Sequence, residues 1–133
     1  MLTHPTMEEL KALGLTGMAE ALAEQLDDSS ACELRFEDRL AQLVDRERRH
    51  RETRRYRNRL RQAQFRLDVR IEDVDYSAGR GLDRSLIEHL ATNQWIRDGR
   101  NLLVTGASGC GKSFFACALG EKACRANLAV RYY

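Results

Sequence analysis

Gly106, Ala107, Ser108, Gly109, Cys110, Gly111, Lys112 and Ser113 follow one another in the order G-x-x-x-x-G-K-[ST], the spacing of a loop that cradles nucleotide phosphates. Each residue type has a job in that chemistry. The glycines let the backbone turn tightly and bring N–H groups close to phosphate oxygens. A lysine in the slot of Lys112 reaches the β- and γ-phosphates, and a hydroxyl in the slot of Ser113 ligates Mg2+. The chain has only three lysines, Lys11, Lys112 and Lys122, and one of them fills this slot.

Such a loop needs a strand before it and a helix after it. The apolar run Leu102-Leu103-Val104 predicts a strand over 101–105, entered through the turn signal Asp98-Gly99-Arg100. A helix is expected from Lys112 to Ala126, with Asn127 as its C-cap. Its positive dipole end would face the same anion as the loop amides. A second strand over 128–133 would follow, so that strand, loop, helix and strand open a βαβ unit.

Upstream, the periodicity is helical. Thr6 and Glu9 read as a capping box starting a helix that ends at Gly14. Met18, Ala21, Leu22 and Leu26 predict a second helix over about 16–26, broken by Asp27-Asp28-Ser29-Ser30. A long helix should start between Cys32 and Arg35 and run toward Ala63. The stretch 73–81 reads as a linker with a Gly79-Arg80-Gly81 turn, and Asp83 is placed to cap a helix containing Leu86, Ile87 and Leu90.

The formal net charge of +2 hides an asymmetry. Between Arg46 and Arg70 eleven arginines face three acidic residues, a local net of +8, which leaves the rest of the chain at −6. Pairs such as Asp45–Arg49 and Glu47–Arg51 can form along the helix at spacing four, but most of the arginines lack an acidic neighbour. Arg48, Arg49, Arg51, Arg54, Arg55, Arg57, Arg59 and Arg61 are therefore the candidate contacts for DNA or a partner protein, since guanidinium forks match phosphate oxygens.

The four cysteines have no C-x-x-C spacing, which argues against zinc and for free thiols. Cys117 and Cys124, seven apart, are expected in the helix core. No apolar run approaches the roughly 20 residues of a membrane span, and Glu8 and Glu9 precede any apolar stretch. A cytoplasmic protein with no membrane partner is expected.

Beyond the phosphate loop, the chain resembles the IstB-like ATPases, helpers of insertion-sequence transposition related to the helicase loader DnaC. The resemblance rests on Leu15-Thr16-Gly17-Met18-Ala19-Glu20-Ala21-Leu22, Phe36-Glu37-Asp38-Arg39-Leu40, Asp45-Arg46-Glu47 and Arg59-Leu60-Arg61-Gln62-Ala63. It continues through Arg80-Gly81-Leu82-Asp83-Arg84, Trp95-Ile96, Asn101-Leu102-Leu103-Val104-Thr105-Gly106 and Val130-Arg131-Tyr132-Tyr133. It implies an α/β protein: an N-terminal helical domain (1–72), the linker (73–81) and the start of a P-loop AAA+ parallel-sheet domain (82–133), incomplete at its C-terminus. It further implies ATP and Mg2+ as ligands, with residues 106–113 as Walker A, and DNA, a transposase and further copies of the chain as partners.

The family's Walker B acids, sensors and arginine finger match no position before Tyr133, so no catalytic residue is assigned and negligible ATP turnover by this chain alone is expected. In an AAA+ sheet the Walker B strand lies between the two strands expected here, which leaves both with unpaired edges. Helicase loading and a non-catalytic DNA- or protein-binding helical module are the alternative functions. A small-molecule kinase would leave the arginine-rich helix unexplained.

Overall fold

The computed structural model describes residues 4–77 and 81–133. Of the expected Gly79-Arg80-Gly81 turn, Gly79 and Arg80 lie outside the described residues. The chain packs as two compact units, Met1–Arg55 and Tyr56–Tyr133. This division by contacts is distinct from the domain limits that the family resemblance implies.

The first unit contains α1 (Pro5–Ala12), α2 (Thr16–Asp27), a 3-10 turn at Ser29–Glu33 and most of α3 (Phe36–Ala63). The expected capping box does not form. Pro5 opens α1, and the Nδ1 of His4 accepts the Thr6 amide at 3.2 Å. Proline has its φ already fixed and no N–H to satisfy, so it suits the first helical position and draws the start forward. Gly14, at φ 78, ends the helix as expected, with the Leu15 amide closing back onto the Leu10 carbonyl.

Helix α2 has no cap from its own flank. Glu47 on α3 supplies one, accepting the Met18 amide at 3.0 Å. The two helices meet at Gly17, where a Cβ would lie 2.9 Å from the Arg46 carbonyl oxygen, the Glu47 Cα and the His50 Cβ. Only glycine permits that approach.

The second unit is built around α6 (Lys112–Arg125), with the end of α3, a 3-10 turn at Ile71–Asp73, α4 (Arg84–Leu90) and α5 (Gln94–Arg97). Its core joins Ile71, Ile87, Leu90, Ala118 and Leu119, bordered by Trp95, Leu102 and Phe115. Asp83 caps α4 through the Ser85 amide at 3.0 Å, as expected. Cys117 and Cys124 are fully buried in α6. That helix ends one residue earlier than expected. Ala126 is the C-cap, and Asn127, at φ 60, takes the left-handed position after it. The Asn127 amide bonds the Cys124 carbonyl and the Leu128 amide bonds the Ala123 carbonyl, a Schellman closure.

The expected sheet is corrected by the structure: among the described residues there is no strand, and 101–105 and 128–133 carry no β-ladder. A strand exists only by pairing. These two segments pair neither with each other nor with another edge among the described residues. Leu103 is left 89% exposed, and the Tyr132 amide bonds the Ala63 carbonyl instead at 2.8 Å.

Gly120 in α6 is as tightly packed as Gly17, since a Cβ there would meet the Phe65 ring at 2.5 Å. Alanine is the better helix former by about 1 kcal/mol, yet overpacking costs about 1–3 kcal/mol. Gly17→Ala and Gly120→Ala are each expected to lower the denaturation midpoint; a raised midpoint would contradict the packing described.

Candidate functional site

Gly111, at φ 97, is the N-cap of α6, and no side chain caps the helix. Its first-turn amides are therefore left for an anion. Gly109, at φ 80, makes the second sharp turn of the loop. At Gly106 a Cβ would stand 2.7 Å from the Cys110 Sγ, so that exposed thiol would have to turn away from any larger residue there. The loop turn is pinned by the Cys110 amide on the Ala107 carbonyl at 3.3 Å.

Lys112 lies over this loop. Its ammonium donates to the Gly106 carbonyl and, at 3.0 Å, to the Ala107 carbonyl. A cation parked on neutral carbonyls has an exchangeable set of partners, and a phosphate would offer it charge as well. Gly106, Ala107, Ser108, Gly109, Cys110 and Ser113 are all exposed, with Gly111 and Lys112 half-buried. A cleft of about 230 Å³ adjoins Gly109, Cys110 and Gly111, lined otherwise by Asp73, Val74, Asp75, Leu82, Phe114 and Phe115. The stretch read as a linker thus supplies one wall of it.

A buried charge network fixes α6 behind the loop. Glu121, only 4% exposed, accepts the Tyr56 hydroxyl at 2.6 Å and the Arg125 Nε at 3.0 Å. Arg125 in turn grips both carboxylate oxygens of Glu72 at 2.8 Å. The guanidinium holds the Glu72 carboxyl down at about 2. Burial, then the bond to Glu121, pushes the Tyr56 phenol up to about 12. Sequence reading missed this network. Its one visible trace was the spacing of four between Glu121 and Arg125.

The arginines of α3 divide into two groups. Arg46 forks onto Glu24 at 3.0 and 2.7 Å, Arg48 pairs with Asp45 and Glu52, Arg49 with Asp45 at 2.6 Å and Arg51 with Glu47 at 3.0 Å. The two pairs foreseen from spacing form. Burial works against ionisation of Glu47, but the Met18 amide and Arg51 hold its carboxyl below the ordinary value. Arg59 reaches Asn127 at 3.4 Å. Arg54, Arg55, Arg57 and Arg61 are exposed and form no ion pair among the described residues. A larger groove of about 330 Å³ in the first unit is lined by Glu24, Asp45, Arg46 and Arg49, whose charges already satisfy one another.

The family model described as IstB-like ATP binding protein matches residues 8–133. The chain belongs to this family. It is 45% identical over 132 residues to a protein of Sinorhizobium fredii named for ATP binding in an insertion sequence, covering 99% of this chain and 54% of that one. A Pseudomonas fluorescens protein, named as the ATP-binding protein of insertion sequence IS1162, is 43% identical over 99% of this chain and 58% of its own. A Pseudomonas aeruginosa protein, named likewise for insertion sequence IS21, is 30% identical over 88% and 43%. This IstB-like chain thus spans about half the length of the curated relatives it matches. Among its described residues no helix is long and apolar enough to cross a membrane.

The charge states in the network set the pH response. The protonated Tyr56 phenol is the donor, so its contribution is full below pH 10 and fades as pH rises toward about 12. The Glu72 carboxylate is the paired form, so its contribution is present above pH 4.5 and fades toward about 2. Tyr56→Phe should cost about 1–2 kcal/mol at neutral pH and flatten the alkaline fall in melting temperature. An unchanged alkaline fall would contradict the assignment.

Proposed function

We propose that this chain binds ATP through Gly106–Ser113, with the Ser113 hydroxyl as the group that would hold Mg2+, as a cytoplasmic ATP-binding helper of DNA transposition. The observation that carries the reading is the Lys112 ammonium held over the loop carbonyls at the uncapped start of α6. Bound phosphate would take over that ammonium, and the loop amides would complete its cradle. Mg2+ supplies charge neutralisation between the phosphate oxygens. The apolar side chains of Val74, Leu82, Phe114 and Phe115 in the adjoining cleft suit a nucleobase.

Family membership, and relatives named for ATP binding in insertion sequences, support the transposition role. DNA, a transposase and further copies of the chain are the partners in this reading.

Titration of the chain with a fluorescent ATP analogue tests the site. Lys112→Ala should weaken binding at least tenfold, about 1.4 kcal/mol, and chelation of Mg2+ should weaken the wild type. Equal affinity for the variant and wild type would overturn the reading.

A further inference from the structure

The arginine-rich helix is two different surfaces, and only one is chemically unspent. From Arg46 to Arg51 the guanidiniums are engaged by Glu24, Asp45, Glu47 and Glu52. Beyond Glu52 the sequence holds no acidic residue until Asp68, and Arg57 and Arg61, both in the second unit, stand four apart on helix α3. That spacing places them on one face. Tyr56 and the fully buried Ala63 lie on the other side, turned inward. At a rise of about 1.5 Å per residue the two arginines lie roughly 6 Å apart along the helix.

We propose that Arg57 and Arg61 form a stripe that contacts the phosphates of nucleic acid, while Arg48 and Arg49 do not. The proposal deepens the DNA-facing part of the proposed function and rests on that part alone. Two like charges held in line, without an internal counterion, match a polyanion of regular charge spacing. Duplex DNA offers one phosphate charge per about 1.7 Å of axis, several within the reach of such a stripe. A protein partner fits less well. Protein interfaces centre on apolar and aromatic side chains, and the apolar residues of this stretch are engaged elsewhere: Tyr56 bonds Glu121, and Leu60 lines a cleft with Phe65, Leu67 and Val69.

Duplex DNA binding by the full chain, followed by fluorescence anisotropy across a salt series, separates the possibilities. Two double variants remove equal charge: Arg57→Gln/Arg61→Gln from the stripe and Arg48→Gln/Arg49→Gln from the paired segment. Each lost phosphate contact reduces the slope of log K against log salt by about 0.9. The stripe variant should therefore lose about 1.8 of slope, and the paired-segment variant less than half of that, with circular dichroism matching wild type in both. Equal losses in the two variants, or no loss in the stripe variant, would overturn the stripe while leaving DNA binding in place. Failure of the wild type to bind DNA at low salt would overturn the DNA reading and the stripe together, whereas the ATP-analogue titration would be unaffected. Polyglutamate binding the wild type as tightly as DNA, with the same dependence on Arg57 and Arg61, would overturn the nucleic-acid assignment.

Discussion

One buried carboxylate holds the second unit together. Glu121 lies in the middle of α6, almost without solvent, and a charge in that position is costly unless it is fully paired. Tyr56 from the end of α3 and Arg125 from the next turn of α6 satisfy it, and Arg125 carries the link on to Glu72 in the 3-10 turn. Two chain segments far from α6 in sequence are thereby tied to that helix. The phosphate loop depends on this tie because its amides and Lys112 can converge on an anion only if the start of α6 is fixed. Phe65, seated against Gly120, and the Ile71–Leu119 core provide the apolar part of the same support.

The first unit solves a similar problem with a similar device. Glu47 is a buried carboxylate on α3 that caps the amino end of α2 while holding Arg51. In each unit an acidic side chain on one helix accepts a hydrogen bond from a group remote in sequence, and a glycine allows the close approach. Charge in this chain is therefore partly structural. The remaining arginines stand out because the structural pairs account for the others.

The sequence disclosed what depends on neighbours a few residues apart. The helices after Thr16 and Asp83, the stop at Gly14, the Asp45–Arg49 and Glu47–Arg51 pairs and the burial of Cys117 and Cys124 all follow from short-range spacing. Long-range partners were invisible: nothing near Glu121 announces Tyr56, 65 residues away, and nothing near Met18 announces Glu47. The sheet was misjudged for a related reason. Leu102-Leu103-Val104 has strand composition, but a strand needs a partner edge, and residues 128–133 do not supply it. At the site, the loop residues were legible because each glycine and the lysine answer to local geometry. The cleft wall from Asp73, Val74 and Leu82 was not, because a polar, glycine-containing stretch reads as a linker until its packing is seen.

In the proposed function nucleotide phosphates seat on the amides between Gly106 and Phe115. Backbone hydrogen exchange measured with and without saturating Mg-ATP tests it most directly. Slowed exchange is expected at residues 106–115, with α4 and α5 changed little. Unchanged exchange across 106–115, or protection confined to another part of the chain, would contradict it.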